Sequence, residues 1–247
     1  MDNRLKEMLI RQLQDELDHA KKINEEEIAA QIRRIGFHCL MCGRCCRRES
    51  GDNRVALMPE EIRRIQVGMN LRMEDVAEPL NIEAESPAEE CSLHERSGMI
   101  DEDGNIHTFG WMLHRKENRD CCFIPDERNN NKCGIYELRP LMCSTYPFYM
   151  EELKLMTSEC EGLGKKTGMV QSRELAHMVL ERYLCELKDT ILTYENYSSF
   201  TTGPKGKESA VSDMKQGYLN YIVHNSEGKC RTTRNIRTAV YRLIYNE

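Results

Sequence analysis

The chain has 247 residues, 40% of them hydrophobic and 31% charged, with twelve cysteines and a net charge of −6. That length can bury a large core without covalent staples, and it suits one cluster-bearing domain with helical additions or two small domains. No uncharged stretch approaches the roughly 20 residues of a membrane span, and the negative balance argues against a general nucleic-acid binder.

Residues 1–35 read as helices. Leu5, Leu9, Leu13 and Leu17 recur every fourth position with Met8 beside them, and Glu7 with Arg11 and Asp18 with Lys22 form i,i+4 pairs. This amphipathic helix is expected to cover the chain's own body. Asn24 followed by Glu27 resembles a capping box and starts a second helix through Ile28, Ile32 and Ile35. Pro59, at a first-turn position, opens a helix carrying Ile62, Ile65 and Met69, and a short helix is expected over 73–80.

Residues 81–120 carry turn signals at Ser86-Pro87, Ser97-Gly98 and Asp103-Gly104, which predict loop or a small hairpin holding Trp111. Pro140 should end a helical turn over Ile135–Arg139. Ser172 is placed to cap a helix through Ala176, Leu180, Tyr183, Leu187, Ile191 and Tyr194. A polar linker over 198–210 and a strand or helix at Tyr218–Val223 follow. The tail reads as helix through Ile236, Val240, Leu243 and Ile244, with Lys229, Arg231, Arg234, Arg237 and Arg242 forming a solvated basic face.

The expected fold is therefore mainly α with an irregular, loop-rich metal-cluster core. Its divisions are N-terminal helices over 1–35, a cysteine-cluster domain over 36–165 and a helical region over 166–247. Between Glu74 and Asp103 eleven acidic residues face only Arg96, a local net of −10 (11 − 1). That stretch is a solvated acidic loop or, more sharply, a docking surface for a basic protein partner.

Cys39-Leu-Met-Cys42-Gly-Arg-Cys45-Cys46 places four thiols in eight residues, a density with little use except metal or cluster ligation. A disulfide framework would need an oxidising compartment, yet the N-terminus carries charges where a signal peptide has an apolar core. Cys39, Cys42 and Cys45 reproduce the C-x2-C-x2-C opening of bacterial ferredoxins, but Glu49 stands at the fourth position. A simple ferredoxin is thereby excluded, and neither a radical S-adenosylmethionine triad nor a nucleotide fingerprint is present.

Adjacent side chains diverge in extended or turn backbone, so Cys45 and Cys46 are expected to serve different sites. Zinc and iron–sulfur clusters both accept four thiolates, and spacing leaves both open. Cys91 and His94 have the gap of a metal pair, and Cys121 is a further candidate ligand. His38 beside Cys39 is placed to hydrogen-bond a cluster sulfide, and Arg44, Arg47 and Arg48 to offset a cluster's negative charge.

The ordered assembly of that loop with Cys122-Phe-Ile, Cys133-Gly-Ile-Tyr136-Glu-x-Arg139-Pro140-x-x-Cys143, Tyr146-Pro-Phe and Cys160-x-Gly162-x-Gly164 resembles the YkgJ-type cysteine-cluster family. The resemblance spans about 36–165, with Ser144 where an arginine often follows the third of these cysteines. It implies a zinc- or iron-chelating domain or an iron–sulfur oxidoreductase component, and flagellin lysine methylases carry a similar cluster.

By position the implied ligands are Cys39, Cys42, Cys45, Cys46, Cys122, Cys133, Cys143 and Cys160, enough for two [4Fe-4S] clusters or two zinc sites. The expectation is a cytoplasmic iron–sulfur protein, an electron-transfer or maturation subunit acting with a larger redox partner. The alternatives are a zinc-stabilised interaction module and a protein-modifying enzyme, although no small-substrate pocket is legible.

Overall fold

A computed structural model describes residues 3–48, 51–127 and 131–236. Helices α1 (Asn3–Ala20) and α2 (Glu25–Ile35) each pack on the long α7 (Met169–Asn196). Asn24 caps α2 by accepting from Glu26 N at 3.0 Å, one residue earlier than a capping box would place the bond. Leu13 and Leu17 pack on the chain's own core, whereas Leu5 and Met8 stay exposed. Ser172 lies inside α7 and bonds Met169 O, and Gly168 is the cap residue.

Between these helices lie α3 (Pro59–Met69), the single turn α4 (Met73–Val76), α5 (Pro87–Arg96) and α6 (Leu141–Thr145). Three small sheets accompany them. β1 (Ala56–Leu57) and β2 (Ala77–Pro79) flank β4 (Trp111–Leu113) antiparallel. β3 (Ile106–Phe109) pairs parallel with β7 (Tyr218–Asn225), which forms an antiparallel hairpin with β8 (Gly228–Asn235). β5 (Phe148–Glu151) and β6 (Lys154–Thr157) make a two-stranded hairpin. The fold is thus mixed α and β rather than mainly α.

Four local readings change. Ser86-Pro87 begins helix α5, because Ser86 Oγ accepts from Glu89 N and proline at the first helical position costs no hydrogen bond. The linker expected over 198–210 gives way at Pro204 to helix α8 (Pro204–Lys215), which buries Ala210. The short helix expected over 73–80 stops at Val76, and the chain continues as β2. Residues 229–235 are strand because Gly228, at φ +116°, lets the chain reverse and pair with β7. Arg237, Val240, Arg242, Leu243 and Ile244 lie outside the described residues.

Two hydrophobic cores result. One gathers Ile62, Ile65, Val76, Ile106, Trp111, Leu219, Tyr221 and Val223 around the small sheets. The other gathers Ile28, Ile32, Phe37, Phe148, Ala176, Val179 and Tyr183 between the helices and β5. Cys46, Cys121 and Cys133 belong to the edge or interior of the first, and Cys160 packs on the second. The cysteines therefore collect where the two cores meet.

Candidate metal centre

Local backbone explains how remote cysteines converge. Gly43 adopts φ +72° ahead of a 3-10 turn, Arg44–Cys46, and a Cβ there would stand 2.8 Å from Ile124. Only glycine accommodates both the left-handed backbone and that approach. Phe37 forms an isolated bridge with Leu163, and His38 N donates to Gly162 O at 3.0 Å, so Cys39 is carried beside Cys160. A Cβ on Gly162 would meet His38 O at 2.4 Å, which accounts for glycine two residues after Cys160.

A second set of anchors fastens Cys46 to Cys121. Cys121 N donates to Cys46 O at 2.8 Å, and Asn53 Nδ2 donates to the same carbonyl at 3.1 Å. The next residues repeat the connection: Arg47 Nη1 donates to Asp120 Oδ2 at 3.1 Å, and Arg48 N to Asp120 Oδ1 at 2.9 Å. The Arg47 and Asp120 side chains are only 11% and 12% exposed, so each depends on the other for charge compensation. Gly134 N donates to Phe123 O at 2.8 Å and brings in Cys133. Glu61, buried in α3, accepts from Met58 N and from Leu141 N at 2.8 Å, which fixes the start of α6 and hence Cys143.

The result is a cavity of about 740 Å³ lined by Cys39, Cys42, Cys45, Cys46, Cys121, Cys133, Cys143 and Cys160. Cys122 is not in the lining; its thiol lies behind Cys121 and is directed at Asp75 O, 3.9 Å away. Cys121 is held by an isolated bridge to Arg115, whereas Cys122 already belongs to the turn that follows. Cys91 and His94 also lie away from the cavity, buried on α5 against the first core. Burial lowers the basicity of His94, whose Nε2 has no hydrogen-bond partner.

Cys45 and Cys46 do not diverge fully, since the 3-10 turn leaves their Sγ atoms 4.0 Å apart. Their surroundings nevertheless differ. Cys46 meets Cys121 and Cys133, and Cys143 is repelled by the same group. Cys160 is repelled by Cys42, Cys45 and Cys39. Cys45 faces both groups, because it also acts on Cys133 and Cys143.

Crowding and burial hold Cys45, Cys46, Cys121, Cys133, Cys143 and Cys160 protonated. A hydrogen bond with Cys121 pushes Cys46 up to about 12, and one with Cys122, joined by burial, does the same to Cys121 at about 12. The contact with Cys46 and burial raise Cys45, while burial raises Cys133, Cys143 and Cys160. Thiolates here require a cation that displaces their protons. The neighbouring arginines are largely committed elsewhere: Arg44 to Glu161, Arg47 to Asp120, Arg48 to Glu83. Arg139 is stacked over Tyr136 at 3.7 Å and favours the ionised forms of Cys45 and Cys133.

The donor set therefore fits a thiophilic metal. The family model for the CxxCxxCC domain, described as a "putative zinc- or iron-chelating domain", matches residues 38–161, half of the chain.

The chain belongs to the CxxCxxCC family. No curated protein and no solved structure matches it. The CxxCxxCC match begins just before Cys39 and ends just after Cys160, and so encloses all eight thiols that line the cavity. Among the described residues, no three Cys, His, Asp or Glu side chains converge closely enough to hold one metal ion. The thiols ring a space rather than a point.

The acidic stretch is mostly spent within the molecule. Glu83 lies within 4 Å of Arg48, Arg54, Arg115 and Arg119, at 3.7, 3.7, 2.6 and 3.1 Å. Glu90 is buried against Arg234 and Tyr221. Away from the cavity, Asp101, His107 and His224 form a hydrogen-bonded line of 3.0 and 2.8 Å that motif reading missed, because its members come from three separate segments. No described helix is long and apolar enough to cross a membrane.

Proposed function

We propose that this protein is an iron–sulfur protein that exchanges single electrons with a larger protein partner, its ligands being Cys39, Cys42, Cys45 and Cys160 for one cluster and Cys46, Cys121, Cys133 and Cys143 for the other. The observation that carries the reading is the ring of eight thiols around one cavity, enough for two four-thiolate clusters. A zinc ion gathers four thiolates at about 2.3 Å and crowds them together. A cubane spreads its four thiolates over a wider shell, and the cavity of about 740 Å³ leaves room for one.

Cys121 replaces Cys122 in the proposed set because it alone of the pair lines the cavity. All twelve cysteines are free, in keeping with a reducing cytoplasm. Glu85, Glu89, Glu102 and Asp103 remain exposed and are the residues through which a basic redox partner would be attracted. Anaerobic isolation followed by iron, acid-labile sulfide and zinc analysis tests the assignment. Iron and sulfide in comparable amounts support it; stoichiometric zinc without sulfide overturns it.

One feature favours a modifying enzyme as the second reading. The cavity wall formed by α7 presents Gln171, Glu174, Leu175, Met178 and Arg182, without a cysteine. The volume of about 740 Å³ falls within the range of small-molecule sites, about 300–1,000 Å³, although the sequence showed no pocket. Calorimetric titration with S-adenosylmethionine distinguishes the two readings, and saturable binding would favour the enzyme.

A further inference from the structure

The eight thiols divide by accessibility as well as by position. Cys39 and Cys45 are exposed and Cys42 and Cys160 half-buried, while Cys121 is buried and Cys46, Cys133 and Cys143 are half-buried. The two groups are also held differently. Residues 38–43 and 158–160 have no regular secondary structure, and Leu40 and Met41, between Cys39 and Cys42, are 46% and 49% exposed. The inner group is bound by the Arg47–Asp120 pair, by the bond from Cys121 N to Cys46 O and by the Glu61 anchor on α6. Local opening of the outer loop breaks few buried contacts; opening of the inner group breaks a buried ion pair.

We propose that the outer group, Cys39, Cys42, Cys45 and Cys160, is an exchange port that passes its metal to an acceptor thiol, while the inner group retains its own. This rests on the metal-binding reading above. The step is ligand exchange without change of oxidation state. The acceptor thiol loses its proton as its sulfur bonds the metal, the bond from the metal to Cys39 Sγ breaks, and the released Cys39 thiolate takes up that proton; the same exchange by further acceptor thiols at Cys42, Cys45 and Cys160 completes the transfer. Exposure of Cys39 lets the acceptor approach from solvent, and the absence of regular structure beyond His38 lets Cys39 leave while Cys42, Cys45 and Cys160 still hold.

The test uses the full-length protein with the metal it carries after anaerobic isolation, or with Zn²⁺ if it carries none. It is mixed with excess EDTA, with and without reduced glutathione, and release is followed in time. The expected course has two phases of similar amplitude, separated by about tenfold or more in rate, which corresponds to about 1.4 kcal/mol in opening free energy. Glutathione should accelerate the fast phase alone. Cys39→Ser and Cys160→Ser should abolish that phase and keep the slow one.

Single-phase release of all the metal overturns the proposal, as does a fast phase that survives both substitutions or disappears in Cys133→Ser. Iodoacetamide labelling of the metal-loaded wild type, mapped by mass spectrometry, separates the two groups without variants. Cys39 should be alkylated about tenfold faster than Cys121 or Cys143, and equal rates contradict the port. A protein that binds no metal at all sinks the metal reading and this inference together; metal bound but released uniformly sinks only the port.

Discussion

The two sides of the cavity use the same residue type and differ in how the backbone holds it. On the outer side Cys39 and Cys160 are brought together by one isolated bridge and by close approaches that glycine allows. On the inner side Cys46 and Cys121 are joined by a backbone bond and flanked by a buried arginine–aspartate pair. Glycine turns set direction at little enthalpic gain, whereas a buried ion pair fixes register because breaking it strands a charge. Under the exchange-port proposal, thiol position rather than thiol number separates a retained metal from an exchangeable one.

Breaking the inner side should have the largest effect. Asp120→Ala leaves the Arg47 guanidinium buried beside, among the described residues, the Pro125 and Asn131 oxygens, and should cost roughly 3 kcal/mol of stability. Chemical denaturation and metal analysis should show a lower midpoint with loss of the inner metal. A stability unchanged from wild type would show that the pair does not carry the register.

Gly43→Ala comes next. It forces a Cβ into left-handed backbone and toward Ile124 Cδ1 at 2.8 Å, at an expected cost of about 2 kcal/mol. Because the turn presents both Cys45 and Cys46, metal should fall on both sides of the cavity. Loss confined to one side, measured as half the metal retained, would show that the turn serves that side alone.

Glu61→Gln should be milder, at about 1–2 kcal/mol, since the amide presents an N–H to one of the two backbone donors that the carboxylate now satisfies. The effect is pH-dependent. Burial raises Glu61 above the usual carboxylate range, so the folded state holds its proton more tightly than the unfolded state. That contribution is complete below the unfolded value of about 4.3 and is lost as pH rises through the folded value. The advantage of wild type over Glu61→Gln should therefore shrink from pH 4 toward about pH 7, as urea titrations across that range can determine. A constant difference would mean that Glu61 does not titrate with folding.

Cys91→Ser should have the smallest effect on metal: content unchanged, with a modest stability loss from the first core. Loss of bound metal would bring α5 back into the site.

Much of the fold is legible in the residues themselves, and the misses have physical causes. Ile28, Ile32, Ala176, Leu180 and Leu187 lie on buried faces as their spacing requires, because amphipathic period is a local signal. Ser86-Pro87 serves equally as a turn or as a helix start, and the choice depends on Cys91 and His94 finding the first core. The alternating charged and polar residues of β8 read as a helix face until Gly228 turns the chain back on β7.

In the candidate site, local sequence could show a dense cysteine loop but not its staples, since Arg47 and Asp120 are 73 positions apart. Nor could a motif choose between Cys121 and Cys122. The difference is set by long-range contacts, the bridge to Arg115 and the bond to Cys46 that hold Cys121 at the cavity wall.

That pair supplies the most direct test. Metal should be counted in anaerobically purified Cys121→Ser and Cys122→Ser, with far-ultraviolet circular dichroism to establish that both remain folded. Cys121→Ser is predicted to lose the inner metal while Cys122→Ser retains the wild-type content. Full metal in Cys121→Ser together with loss in Cys122→Ser would contradict the cavity lining on which the whole assignment rests.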